Sequence, residues 1–393
     1  MAINKKESEC CGCTACMTIC PKKAINMYEN TKGFQMPIVD EKKCIECGLC
    51  EKVCAYDKNR KGIESINTEV YAIKRKNEED RKESQSGGAF SSIAQYILEN
   101  NGIVYGVKGD KYNACYTRIT STDELKFLKG SKYVQAEVQQ TFKQVLSDLN
   151  EKKNIVLFSG TSCHIDGLIS FLKQRNINTE KLITCDLICH GVPSPKIFRE
   201  YYKHIENKYG EISEFNFRNK KVSGWHGHIV TFKNKYNNMV ISNNYVNIFY
   251  SNLELRECCY SCPYSTKERI SDITIGDFWG IEKYHKEFDD NKGCSVMILN
   301  TEKARNIFEN IKSDLLYITS NSEECVQPNL QHPTEKPVEY DAFWDDYINN
   351  GFIDAVTKFC KFNDKNDFTY TFINRFKRKV GKMLKKFTCK LIK

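Results

Sequence analysis

Three features of the 393 residues predict a multidomain fold, α+β in front and α/β behind. Two compact runs of four cysteines lie within the first 54 positions, short apolar runs alternate with amphipathic ones through the middle, and a basic stretch of helical periodicity closes the chain. The length exceeds one ordinary domain. The boundaries read as a cysteine-rich module over 1–60, a polar linker over 61–85, a mixed α/β core in two parts over 86–180 and 181–345, and a helical basic tail over 346–393.

The front module is read from its spacing, Cys10-x2-Cys13-x2-Cys16-x3-Cys20-Pro21, repeated as Cys44-x2-Cys47-x2-Cys50-x3-Cys54. Three thiolates so spaced wrap a 4Fe-4S cubane, and in two-cluster bacterial ferredoxins the fourth cysteine of each run ligates the other cluster. The expected sets are therefore Cys10, Cys13, Cys16 and Cys54 on one cluster, and Cys44, Cys47, Cys50 and Cys20 on the other, in a bacterial ferredoxin-like module. Structural zinc sites pair two Cys-x2-4-Cys knuckles across a longer loop, which fits four cysteines in eleven residues, twice, poorly. Ala55 stands where a proline would match Pro21, and Cys11 is a spare thiol. The first ten residues lack the apolar region of an export signal, so the twenty cysteines are expected reduced and metal-bound in a cytoplasmic protein. No apolar run approaches the roughly 18 residues that span a bilayer.

Residues 74–84 offer almost no apolar side chain to bury, which marks a linker or surface strip. Ser86-Gly87-Gly88 then opens a helix over 90–98, ended by Asn100-Asn101-Gly102 and followed by a strand over 103–107. Glycines at a helix start let backbone N–H groups face a nucleotide phosphate, although an ordinary N-cap gives the same pattern. A helix over 137–149 precedes a buried strand over 155–158, which breaks into Ser159-Gly160-Thr161-Ser162-Cys163-His164 before a helix over 166–173. A strand over 182–189 likewise runs into His190-Gly191-Val192-Pro193. Open α/β sheets bind ligands at such strand ends. Cys163 and Cys189 are thus expected at the C-terminal ends of two strands able to lie side by side. From 214 to 300 the chain is richer in β-branched and aromatic residues, with short strands over 229–232 and 273–275 and Cys259-Tyr260-Ser261-Cys262-Pro263 just before the latter.

Four motifs in order resemble those of the coenzyme F420 hydrogenase/dehydrogenase beta-subunit family: Gly160-Thr161-Ser162-Cys163-His164, the run from Asp186 through Cys189-His190-Gly191 to Pro195, Cys259-Tyr260-Ser261-Cys262-Pro263, and the run from Asp272 through Asp277 and Trp279 to Gly280. Ser86-Gly87-Gly88 and Lys132-Tyr133-Val134-Gln135 resemble its N-terminal motifs, so the likeness covers 86–300. A ferredoxin module in front is the form common in bacterial members, often encoded among polysaccharide-synthesis genes. The resemblance implies an FAD site and a third 4Fe-4S cluster held by Cys163, Cys189, Cys259 and Cys262. Two strand-end thiols plus one Cys-x2-Cys pair agree, supplying the four ligands a cubane needs, while each alone reads equally as a small buried hydrophobe. The spacing selects Cys259 over Cys258, and Cys115, Cys185, Cys294, Cys325, Cys360 and Cys389 are left as structural. Ser162 and His164 replace the proline and glutamine usual in the family, a change expected to retune the cluster. Nothing in the chain assures the F420 site for which the family is named.

Clusters carry single electrons and most organic substrates accept two, so a flavin reconciles them. The expected path runs from soluble ferredoxin or another one-electron donor through the clusters to FAD and an organic acceptor in surface-glycan synthesis, or the reverse. The alternatives are an F420-dependent redox subunit of a larger complex and a non-enzymatic electron-transfer adaptor. Ser86, Gly87 and Gly88 are the candidate FAD phosphate contacts, with Lys132 for charge and Gly160 and Thr161 as a second approach. His190, Asp186 and Asp277, with Trp279, are the candidates around the reacting groups, His190 as proton donor.

Nine basic residues and no acid lie between Phe372 and Lys393, which accounts for the whole net charge of +9 and argues against a nucleic-acid surface spread over the chain. On a helical wheel Phe372, Ile373, Phe376, Val380, Met383, Leu384, Phe387 and Leu391 share one face. Such a helix suits peripheral contact with an anionic membrane through 372–393, or docking on the protein itself or a partner.

Overall fold

The computed structural model describes residues 3–56, 68–151 and 154–369. In the front module the helices Ala15–Ile19 and Leu49–Lys52 flank an antiparallel hairpin of β1 (Ile25–Glu29) and β2 (Gln35–Val39). Past Thr68 the chain enters a central sheet with β3 (Glu69–Arg75), β4 (Ile103–Gly109), β5 (Ala114–Ile119), β6 (Ala136–Glu137), β7 (Val156–Thr161) and β8 (Leu182–Leu187). It leaves to form a smaller sheet from β9 (Ile212–Asn216), β10 (Val230–Asn234) and β11 (Met239–Ser242). It then returns as β12 (Ile273–Asp277), β13 (Ser295–Leu299) and β14 (Leu315–Ser320), and ends on the smaller sheet with β15 (Asp367–Thr369).

The central order is β14-β3-β13-β12-β8-β7-β4-β5-β6, with β12, β8, β7 and β4 mutually parallel. These parallel strands are apolar along most of their length because both faces are covered. Strand alternation divides the covering: Val104, Leu157 and Ile183 face the helices Ala89–Glu99 and Glu302–Ile311, whereas Tyr105, Phe158 and Leu182 face Thr141–Glu151 and Ser162–Gln174. The helix Ala89–Glu99 follows directly from its sequence. Gly88, at φ 97°, supplies the left-handed turn before it, and Ala89, Ile93, Ala94, Ile97 and Leu98 make one buried stripe. Ala15, Ile19, Val53, Ala55 and Tyr56 join the core on the Phe158 side, so the front module is seated on the sheet through its own apolar residues. A separate core, rich in aromatic rings such as Phe198, Tyr201, Tyr245 and Trp344, fills the space around the smaller sheet.

Two expected boundaries are corrected. From Glu69 the supposed linker is sheet and helix: β3 lies between β13 and β14, and Glu78–Glu83 is helical behind an Asn77 cap. The charges that made it look solvated are paired. Arg81 grips Asp290 at 2.5 and 2.8 Å, Lys74 lies 3.5 Å from the same carboxylate, and Arg75 lies 3.2 Å from Asp80. Asp290 is held at about 2, because Arg81 and Lys74 outweigh the burial that would raise it. The two parts of the core meet in one sheet, since β7 before the division at 180 pairs with β8 after it. Residues 346–369 belong to the aromatic core, through Tyr340–Asn350, Phe352–Phe359 and β15, and not to a tail. The amphipathic helix read over 372–393 lies outside the described residues, as does 57–67. Among the described residues no helix is long and apolar enough to cross a membrane.

Candidate functional site

The front module arranges its thiols in two sets. Cys20, Cys44, Cys47 and Cys50 line one cavity, backed by Ala24, Ile25, Val39 and Leu49. This outer set reaches the surface, with Cys47 exposed and Cys50 buried. Cys54 crosses the other way. Burial, then Cys13 and Cys10, push its thiol up to about 12, and burial followed by Cys13, Cys10 and Cys54 raises Cys16. The two fourth cysteines therefore exchange partners as the repeat requires. Backbone N–H groups of Gly12, Ala24 and Glu46 donate to the sulfurs of Cys10, Cys20 and Cys44 at 3.3–3.4 Å, a pattern that stabilises negative charge on sulfur. Among the described residues no three His, Cys, Asp or Glu side chains gather about one point as ligands of a single ion do. Four thiols around a cavity suit a cubane, in which each iron takes its own thiolate.

The core set forms at the carboxyl edge of the parallel strands. β7 and β8 run side by side with Thr161 opposite Leu187, so Cys163, in the first turn after β7, and Cys189, two residues beyond β8, face one space. Cys259 and Cys262 are delivered by the 3-10 turn Glu257–Ser261 and the residue after it. All four line one cavity. Cys11 and Cys258, set aside from the sequence, line it too. Each is half of a doublet, Cys10-Cys11 and Cys258-Cys259, and that doubling was the available signal. The front module is tied to this loop. The Tyr56 hydroxyl donates to the Ser261 carbonyl at 2.8 Å, and the Tyr264 hydroxyl contacts Asp166 at 2.7 Å and the carbonyl of Ala55, the residue that replaces the expected proline. The two sets nearly touch at Gly167, where an added Cβ would lie 2.9 Å from the Cys13 sulfur. His164 sits beneath them, its Nδ1 3.1 Å from the Tyr116 hydroxyl, and burial followed by Arg256 lowers it to about 4, so it is neutral.

Of the three candidates around the reacting groups, only His190 reaches this cavity, with Nε2 2.6 Å from Asn252 Oδ1 and the ring against Phe249. Asp186 is wholly buried and accepts from Arg269 at 2.5 Å, Thr274 at 2.5 Å and Ser162 at 2.7 Å. Asp277 is held by Arg218 at 2.6 Å and Trp225 Nε1 at 2.7 Å, while Trp279 stacks on Trp225 with ring centroids 5.0 Å apart. Sequence reading missed Arg218, Trp225 and Arg269, which carry no local motif and lie 52 to 83 residues from their carboxylates.

The flavin candidates divide between two places. Gly87 donates to Ser295 Oγ at 2.9 Å, and an added Cβ would lie 2.2 Å from the Ile73 carbonyl, so packing against β3 and β13 demands this glycine. The Ser86 hydroxyl donates to the Cys294 carbonyl. Gly88 opens the Ala89–Glu99 helix with no side-chain cap. The Lys132 ammonium donates to the carbonyls of Leu128, Lys129 and Gly130, and burial lowers it to about 7. Lys220, not foreseen, donates to the carbonyls of Arg81, Ser86 and Lys292, and burial, then Arg81, lowers it to about 7. Neither lysine has a carboxylate partner among the described residues. Gly160 and Thr161 belong with the cysteines instead: an added Cβ at Gly160 would strike the Tyr116 hydroxyl, and Thr161 Oγ1 lies 3.4 Å from Cys163 Sγ.

Comparison with known proteins bears on this arrangement. A family model for the N-terminal part of the coenzyme F420 hydrogenase/dehydrogenase beta chain matches residues 70–143, beginning within β3. The model for the C-terminal part of that same beta chain matches 153–324, and a 4Fe-4S dicluster domain matches 9–58. Among solved structures, the chain is similar to one from the xenon-derivatized F420-reducing NiFe hydrogenase complex of Methanosarcina barkeri, at 15% identity over 75% of this chain and 91% of that one, with a TM-score of 0.45. No curated protein matches.

Proposed function

This chain belongs to the coenzyme F420 hydrogenase/dehydrogenase beta-subunit family and is an iron-sulfur redox subunit, and we propose that it works as a flavoprotein oxidoreductase with three 4Fe-4S clusters. The observation that carries this reading is the succession of thiol sets. The outer set meets solvent at Cys47, the Cys10 set lies buried behind it, and the Cys13 sulfur packs on Gly167, one turn after Cys163 on the same helix. Bound there, the clusters would supply one-electron transfer and FAD the exchange between one and two electrons.

This chain's own residues do the rest. The exposed Ile45 and Lys22 line the outer cavity with Cys47, an open mouth that would suit docking of a one-electron donor such as ferredoxin. Lys132, Lys220 and the first amides of Ala89–Glu99 offer positive partners for the phosphates of FAD. His190, fixed by Asn252 beside the core cavity, is positioned to hold a proton at Nδ1 for the acceptor. The acceptor proposed for this path is an organic molecule of surface-glycan synthesis, a reading that rests on the family resemblance and not on these residues.

Anaerobic purification with iron, sulfide and flavin assays tests the reading. About twelve irons and one FAD per chain are expected; iron for two clusters without flavin would replace the enzyme by an electron-transfer adaptor. The family description favours one second reading, an F420-linked subunit of a larger complex, which added F420 that bleaches on reduction would promote.

A further inference from the structure

Arg256 is 1% exposed and stands where the front module meets the core. Its Nε donates to the Cys10 carbonyl at 2.5 Å, Nη1 to Gln135 Oε1 at 2.9 Å, and Nη2 to the Gln35 carbonyl at 2.9 Å, with Met36 Sδ 3.1 Å away and the Phe34 ring centroid at 5.2 Å. Every one of these partners is neutral. The other buried arginines are compensated: Arg269 by Asp186, Arg218 by Asp277, Arg81 by Asp290 and Arg75 by Asp80. Arg256 has no carboxylate partner among the described residues.

A guanidinium keeps its charge, and burying it uncompensated is strongly unfavourable. The neighbours able to carry the opposite charge are cysteines: Arg256 lines the core cavity with Cys11, Cys258 and Cys259, and its Nε bond holds it on Cys10. Cys10 belongs to the buried front set and Cys259 to the core set. The loop between the front thiols makes room for the cation, since an added Cβ at Gly12, where φ is 69°, would lie 2.9 Å from Nη1.

We infer that Arg256 is a positioning residue that serves as the shared counter-ion of the two inner clusters, its fixed charge making both easier to reduce than the outer one. The inference rests on the three-cluster reading above. A thiolate-ligated 4Fe-4S cluster is anionic and gains one more negative charge when it takes an electron, so a nearby cation in a poorly screened interior favours the reduced form. The outer set, open to water at Cys47, has its charge screened by solvent. The resulting gradient draws electrons inward.

The test is an anaerobic redox titration of the full chain followed by electron paramagnetic resonance, comparing Arg256→Gln, Arg256→Lys and Gln135→Glu with the parent. Arg256→Gln is expected to lower the ratio of reduced to oxidised inner cluster at a set potential about tenfold, or about 59 mV, with the outer cluster unmoved. Gln135→Glu, which cancels the cation in place, moves the same way, and Arg256→Lys keeps the parent ratio. Unmoved inner potentials in whichever charge-cancelling variant retains its iron overturn the inference, and so does an equal shift in Arg256→Lys. Loss of the inner clusters from both charge-cancelling variants but not from Arg256→Lys supports it, because charge alone separates them; loss from all three overturns it. Parent protein with iron for two clusters sinks the three-cluster reading alone, and Arg256→Gln is then read on the Cys10 set.

Discussion

The outer cavity gathers four thiols and the core cavity six, four of them the expected ligands, and the two are built in opposite ways. Cys20, Cys44, Cys47 and Cys50 come from one small module in which the hairpin of β1 and β2 joins the two runs, and Cys47 is left in solvent. Cys163, Cys189, Cys259 and Cys262 come from a helix start, a strand end and a 3-10 turn, brought together only by the pairing of β7 with β8 and the docking of residues 257–262. The outer site is local, shallow and fit to meet a partner. The core site depends on contacts across a hundred residues and is walled by the front module itself, through Cys11 and Tyr56. A loss at one should therefore stay local, and a loss at the other should spread.

The largest expected effect sets the two against each other directly. Cys259→Ser removes a core thiol, and iron is expected to fall from about twelve to about eight per chain, with reduction of bound flavin by a ferredoxin donor abolished. Cys47→Ser costs about four irons as well but leaves the core cluster and the flavin in place, reducible by a small chemical reductant. Iron and sulfide assays with the visible absorption of the flavin check both. A flavin lost along with Cys47 would break the claim that the outer site is independent.

Next comes the buried scaffolding of the core site. Asp186→Asn leaves the Arg269 guanidinium, 2% exposed, without its charge partner at the start of the helix that carries Cys163. Breaking such a pair costs about 3–5 kcal/mol, to be read as a lower urea midpoint at unchanged slope. Lys43→Ala in the exposed pair with Asp40 beside the outer set should move the midpoint too little to measure. Equal losses would mean that the sites do not differ in how they are supported.

These contrasts also explain what could be read in advance. The eight front cysteines were legible because a cubane takes three ligands from one short loop, so local spacing carries the chemistry. The neighbouring strand ends with Cys163 and Cys189 were legible because each apolar run broke into its turn at the same stage of the pattern. What stayed hidden was set by partners distant in sequence. The charged strip of 74–84 looked solvated because Asp290, which neutralises Arg81, lies 209 residues on, and Asp186 looked like a pocket residue because Arg269 lies 83 residues on. Spacing could not show that Cys11 lines the core cavity, since a spare thiol has no preferred direction until the module docks.

The smallest effect concerns pH. Burial holds the Lys132 ammonium at about 7, well below its ordinary value, so in the folded protein it is charged only below that point. An anion binds the charged form, and binding above neutrality must recruit a proton. Affinity for a phosphate-bearing cofactor is therefore expected to fall as pH rises through 7, by at most about tenfold per unit, and to be steady below it. The same depression makes the folded state bind fewer protons than the unfolded chain between 7 and the ordinary lysine range, so stability rises with pH across that window. Flavin titration calorimetry at a series of pH values, with Lys132→Met as the partner experiment, reads the first effect. Lys132→Met should bind more weakly at pH 6 and lose the slope through neutrality. The core cysteines should be indifferent to this change, because Lys132 stands at the end of β4 beside Gly109, away from the thiol cavity. Iron retention that fell with Lys132→Met would join the two places that the structure keeps apart.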